Sequence, residues 1–133
     1  MIRRADRYDA GFIYDLTYEF NAEYYDRPLN EEKTFATIEK IIADGVCFVS
    51  PQGYIGGLIT DDLFRDDTAL VELGWFSKDR SGVKLLEAFI EDGFAKGVDE
   101  IRMCTMGTSP PSAAKLLLRR RFELTETSYR LRP

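Results

Sequence analysis

The chain has 133 residues, 44% apolar and 31% charged, with 18 basic and 23 acidic residues and a net charge of −5. That composition fits one globular domain over residues 1–133, large enough to bury a core without disulfide or metal staples. The basic footprint of a nucleic-acid binder is missing, no apolar run approaches the ~20 residues of a membrane span, and the absence of histidine excludes Ser-His-Asp and Cys-His hydrolases and the histidine-containing metal sites.

Taken in chain order, Ala10, Ile13, Leu16 and Phe20 recur at helical spacing and predict a helix over Asp6 to Tyr25. Asn30 reads as the N-cap of a second helix, with Glu31 and Glu32 where its dipole favours them. Phe35, Ile38, Ile41 and Ile42 form that helix's apolar stripe, and Gly45 stops it. The pattern then changes to strands. "VCFVS" and "YIGGLIT" flank the turn "PQG", and a second turn, "FRDD", leads into "TALVELGWF". Leu86, Phe89, Ile90 and Phe94 mark a third helix capped by Gly97, and "VDEIRMCTM" reads as a further strand. Ser109 and Pro110 suit the start of a last helix, "PSAAKLLLRRR". The tail "FELTETSYRLR" alternates and predicts a closing strand. The order α-α-β-β-β-α-β-α-β implies an α/β fold. Its sheet is mixed and mostly antiparallel, with helices on both faces and a right-handed β-α-β unit from Thr68 to Met106.

Chemistry concentrates at "WFSKDRSGVKLLEAF", where a strand hands over to a helix. The first amides of a helix have no internal partner and face outward with the positive end of the dipole, which suits an anion. Gly82 would allow close approach to the backbone, and Lys78, Arg80 and Lys84 add positive charge. A solvated helix start with ordinary surface charges explains the same residues. On the preceding strand, alternation sets Ala69, Val71, Leu73 and Trp75 on one face and Glu72 on the other, beside Leu70, Gly74 and Phe76. Burial would raise the pKa of Glu72 toward that of a useful base, whereas solvent exposure would leave it ordinary. Cys47 and Cys104 sit in apolar runs and are expected to be buried thiols.

Residues Ala5 to Leu131 resemble the GNAT superfamily of acetyl-CoA-dependent N-acetyltransferases, especially its short phage-type and bacterial members. The likeness rests on the element order and on "CFVSPQGYIGGLI", "ALVELGWFSKD", "RSGVKLLEAFIEDGFAKGVDEIRM", "SAAKLLLRRRF" and "ETSYRL". It implies that the strands at Thr68–Phe76 and Val98–Thr105 splay and admit the pantetheine arm of acetyl-CoA. Trp75 and Phe76 would then border the arm, and Arg80, Ser81, Gly82, Val83 and Lys84 would hold the pyrophosphate. Glu72 stands where many members carry the general base, usually acting through water on the acceptor ammonium, and the free amine then attacks the thioester directly.

The chain departs from the family at two places. The family loop reads Arg or Gln, two residues, Gly, one residue, then Gly or Ala. Anchored on Gly82, Asp79 and Lys84 occupy its first and last positions; anchored on Leu85-Leu86, the loop is about two residues short. Leu117 stands where members often have a tyrosine acid, with Tyr129 or Ser112 as substitutes. The reading is an N-acetyltransferase with acetyl-CoA as cosubstrate, no metal, and a small-molecule or peptide amine as acceptor. The alternative is a catalytically inactive binding protein of the same fold. Neither nucleic acid nor membrane is an expected partner, a homodimer is left open, and a cytoplasmic location is expected. Tyr24 and Tyr25, between the first helices, read as packing residues beside an acceptor site.

Overall fold

Strict alternation in the strand Val46–Ser50 gives the sheet its two faces. Cys47 and Val49 join one apolar cluster, while Val46 and Phe48 join the other. The computed structural model describes residues 1–133. Its five strands are β1 (Arg3–Arg4), β2 (Val46–Ser50), β3 (Gly53–Asp61), β4 (Thr68–Ser77) and β5 (Glu100–Arg102). They lie side by side in sequence order, antiparallel except for the parallel β4–β5 pair. The helices are α1 (Ala10–Tyr24), entered through a short 3₁₀ turn at Arg7–Asp9, α2 (Glu31–Asp44), α3 (Gly82–Ala95) and α4 (Pro111–Arg119).

The apolar stripes settle where the helices go. Ile13 and Leu16 of α1 and Ile38 and Ile41 of α2 bury against Cys47, Val49 and Tyr54 on one face. Leu85, Leu86 and Phe89 of α3 and Leu117 of α4 bury against Val46, Ile55 and Leu70 on the other. Phe89 is fully buried, worth roughly 2–3 kcal/mol for its side chain. The sheet is therefore mixed, mostly antiparallel and covered on both faces, as expected. The Asn30 cap is present, its side chain accepting from the Lys33 amide at 2.9 Å. Phe94 departs from its expected place and is exposed, because α3 turns Leu85, Leu86, Phe89 and Gly93 inward.

Two helices end in the same hydrogen-bonding pattern. After α3, the Val98 amide reaches back to the Gly93 carbonyl and the Gly97 amide to that of Phe94, with Gly97 at φ +84°. After α4, the Phe122 amide reaches the Leu117 carbonyl and the Arg121 amide that of Leu118, with Arg121 at φ 69°. Both are Schellman ends, which call for a left-handed residue. The second is filled by arginine where glycine is favoured.

Three strand expectations need correction. β1 is a two-residue pairing with Val49 and Phe48, too short to leave a pattern, and Arg4 fixes it by a bidentate bond to Asp92 of α3. "VDEIRMCTM" yields only Glu100–Arg102, because its neighbour β4 diverges beyond Val71. "FELTETSYRLR" forms no strand. It is held instead by a bidentate pair between Arg132 and Asp26 at 2.7 and 3.0 Å.

Candidate active site

The site begins with an extra residue in β4. Gly57 of β3 faces Glu72 and Gly56 faces Gly74, so Leu73 has no opposite number and forms a β-bulge. The bulge breaks the alternation that the sequence suggested. Trp75 packs with the α3 cluster and Phe76 with the α1 cluster. Glu72 lies opposite Gly57, where a Cβ would meet Phe89, and so shares the α3 face with Leu70 and Trp75. It is not on the face of Gly74 and Phe76, as alternation had placed it. Gly74 is required at its position, since any side chain there would run into the Tyr54 ring and hydroxyl.

At the same level the sheet opens. Parallel pairing of β4 with β5 ends at Val71–Arg102, and from Glu72 to Ser77 β4 is paired with β3 only. The Lys78 amide donates to Gln52 and the Phe76 carbonyl faces Gly53, so alternation turns the backbone groups of Trp75 and Ser77 to the open edge. An extended chain with amide groups, such as a pantetheine arm, can pair there.

Glu72 marks the apex of the opening. Glu72 is half-buried there, and the partial burial of its carboxylate pushes its pKa up to about 7 from an ordinary 4.5. The single opposing influence is the Cys104 amide, which donates to Oε1 at 3.3 Å across the gap. No cation pairs with it. A carboxylate of pKa near neutrality, uncommitted to any side chain, can take up a proton and release it again. Cys104 itself is exposed, not buried as expected, because the strand expected to contain it ends at Arg102.

The helix corner lies at the other end of the open edge. Trp75 Nε1 donates to the Gly82 carbonyl at 3.1 Å and fixes the start of α3. The amides of Gly82, Val83 and Lys84 make no hydrogen bond within the chain, and Arg80 and Lys84 are exposed without a carboxylate partner. Gly82 itself is helical. A Cβ there would rest 3.8 Å from Trp75 Nε1 and 3.9 Å from Ser77, so the backbone does not demand glycine. Lys78 turns away and bonds Glu19 at 3.1 Å. Asp79 turns inward onto Ser77, Ser81 and the β2–β3 turn, and its pKa is held down to about 2, chiefly by the Ser81 hydroxyl.

Leu117 does not face the opening. It is buried in the α3 cluster as part of the α4 end. Tyr129 and Ser112 are exposed. Tyr24 packs on Phe20, which in turn meets the edge of Phe76, as expected of a packing residue. Tyr54 was missed, and Leu73 and Asp79 were given no role in the site. Tyr54 and Leu73 line a cleft of ≈200 Å³ with Thr17, Lys33 and Thr34, on the α1–α2 side of the bulge. Of these, only Asp79 left a trace in the sequence, as an acidic residue in a basic loop.

The fold as a whole has counterparts among solved structures. Aminoglycoside N-acetyltransferase AAC(6')-Iy in complex with CoA superposes with a TM-score of 0.77 at 18% identity, covering 100% of this chain and 93% of that one. The fold is that of the GNAT acetyltransferases. The same enzyme with the bisubstrate analogue CoA-S-monomethyl-acetylneamine matches at 0.74 and 19% identity, covering 100% and 97%. A transcriptional regulator from Bacillus halodurans C-125 matches at 0.76 and 17% identity, covering 99% and 98%. No family model matches the chain, and no curated protein matches it in sequence.

Proposed function

We propose that this chain transfers an acetyl group from acetyl-CoA to a primary amine by direct attack, with Glu72 as general base. One observation carries the reading: a carboxylate with its pKa at about 7 sits where β4 leaves β5. Glu72 takes a proton from the acceptor ammonium, directly or through one water, and the neutral amine attacks the thioester carbonyl. The thiolate of CoA, with a thiol pKa of about 8.5, leaves without a dedicated acid. The open backbone edge at Trp75 and Ser77, with Phe76 between them, suits the pantetheine. The amides of Gly82, Val83 and Lys84, with Arg80 and Ser81 beside them, suit its phosphates. Likeness to AAC(6')-Iy, solved with CoA and with a bisubstrate analogue, supports acetyl transfer and a small-molecule amine acceptor.

A second reading is a binding protein of the same fold without catalysis. Asp79 in the phosphate loop and Leu117 in the core favour it, as does the likeness to a protein named a transcriptional regulator. Calorimetric titration with acetyl-CoA, followed by thiol release with a panel of amines, separates the two. Acetyl-CoA is expected to bind, and Glu72→Gln to keep that affinity while turnover falls by about 10²–10⁴ and the acidic limb of the pH–rate profile disappears. Binding without turnover on any amine selects the second reading. A rate loss explained wholly by weaker cosubstrate binding removes Glu72 as base.

A further inference from the structure

The loop between β4 and α3 already holds an anion of its own. Asp79 Oδ1 accepts from the Ser77 hydroxyl at 2.8 Å, the Ser81 amide at 3.1 Å and the Ser81 hydroxyl. Its Oδ2 faces the Gln52 amide at 3.2 Å and the Ser50 hydroxyl at 3.4 Å. Ser50 is buried, and its hydroxyl meets that of Ser81 at 2.7 Å. Three hydroxyls and two amides therefore converge on one carboxylate that has no cation partner. That is the donor set of a phosphate site, occupied by a side chain.

The consequence for a ligand is electrostatic and steric together. The Ser81 amide precedes those of Gly82, Val83 and Lys84, and it is already satisfied. A diphosphate arriving at the corner meets the three remaining amides together with a fixed negative charge beside them. Arg80 and Lys84 offset that charge only from exposed positions, and Lys78 is engaged by Glu19. On the open edge of β4, by contrast, Asp79 bonds only the Ser77 side chain and leaves the backbone groups of Trp75 and Ser77 free.

We infer that Asp79 sets donor selectivity by filling part of the diphosphate cradle, so that the chain holds a pantetheine thioester mainly by its arm and gains little from the diphosphate of CoA. The inference rests on the reading above that the donor is a pantetheine thioester. Acetyl-pantetheine, which lacks the nucleotide, then binds nearly as tightly as acetyl-CoA. Removing the charge on Asp79 restores the preference for CoA.

Calorimetry with acetyl-CoA and acetyl-pantetheine tests this on the wild-type chain and on Asp79→Asn and Asp79→Ser. For the wild type the two dissociation constants are expected within about threefold of each other. In the variants acetyl-CoA should tighten by about tenfold, from removal of one like charge at close range, and acetyl-pantetheine should change by less than about twofold. A wild-type preference for acetyl-CoA of about a hundredfold or more overturns the inference, as does unchanged or weaker acetyl-CoA binding in folded variants. The wild-type ratio needs no variant, so it decides the matter even if a substitution prevents folding. Failure of every chain to bind either thioester removes the acetyl-transfer reading together with the inference, whereas an acetyl-CoA affinity indifferent to Asp79 removes the inference alone.

Discussion

Glu72→Gln should change how stability depends on pH, whether or not the chain is an enzyme. The Glu72 carboxyl has a folded pKa of about 7 against an ordinary 4.5. Between those values the folded chain keeps a proton that the unfolded chain has lost, so stability falls as pH rises through the window and levels off above it. The whole gap corresponds to about 3 kcal/mol, most of which falls between pH 5 and pH 8. Asp79 and Asp92, held down to about 2, titrate below this window. Every other group is common to the two chains and cancels in the comparison. Glutamine keeps an acceptor for the Cys104 amide and removes the titration. Urea melts at pH 5 and pH 8 should therefore show the wild type losing about 2–3 kcal/mol more than the variant. In thermal melts the same difference is about 6–9 °C, at roughly 3 °C per kcal/mol for a chain of this size. Parallel stability profiles, agreeing to within about 0.5 kcal/mol, would refute the burial of Glu72 on which both its pKa and its proposed role depend.

Two further expectations follow from the same geometry. Cys104 is exposed at the opening between β4 and β5 and Cys47 is buried, so a disulfide reagent should modify one thiol in the native chain and two after unfolding. Desulfo-CoA should slow that single reaction, and modification of both thiols in the native chain would show that the core is not closed as described. Arg121 stands at φ 69° in a helix end that α3 completes with Gly97. Arg121→Gly should therefore stabilise the chain by about 1 kcal/mol, read as a rise of about 3 °C in melting temperature, and a lower Tm would contradict the strain assigned to that residue.

The sequence made the helices and the middle of the sheet legible because each is specified locally. Asn30 caps α2 with its own side chain, Gly97 closes α3 with its own backbone, and the apolar stripes carry a helical period that the two clusters absorb. The errors arise where a property belongs to pairs of segments. Leu73 looks like any strand residue, and only its missing partner on β3 reveals the bulge that moves Glu72 to the α3 face. "FELTETSYRLR" alternates as a strand should, but alternation does not supply a neighbouring edge. Asp79 could be read as a lost arginine or glutamine. It could not be read as an internal ligand, because Ser50 and Gln52, which help to hold it, lie about 30 residues away in the chain.

Glu72 is hard to explain as part of the scaffold. A half-buried carboxyl with a single 3.3 Å hydrogen bond and no cation costs stability at any pH above its ordinary value. The other carboxylates of the chain show what a structural one needs. Asp9 and Asp92 are each held by a bidentate arginine, and both have lowered pKa values. Asp79, without a cation, is surrounded by five donors and is likewise lowered, to about 2. Glu72 is left under-bonded and raised. Strained titration of this kind collects where a proton must move. Under the proposed function the two carboxylates would therefore answer different questions: Glu72 whether a proton is transferred, and Asp79 which thioester is held while it happens.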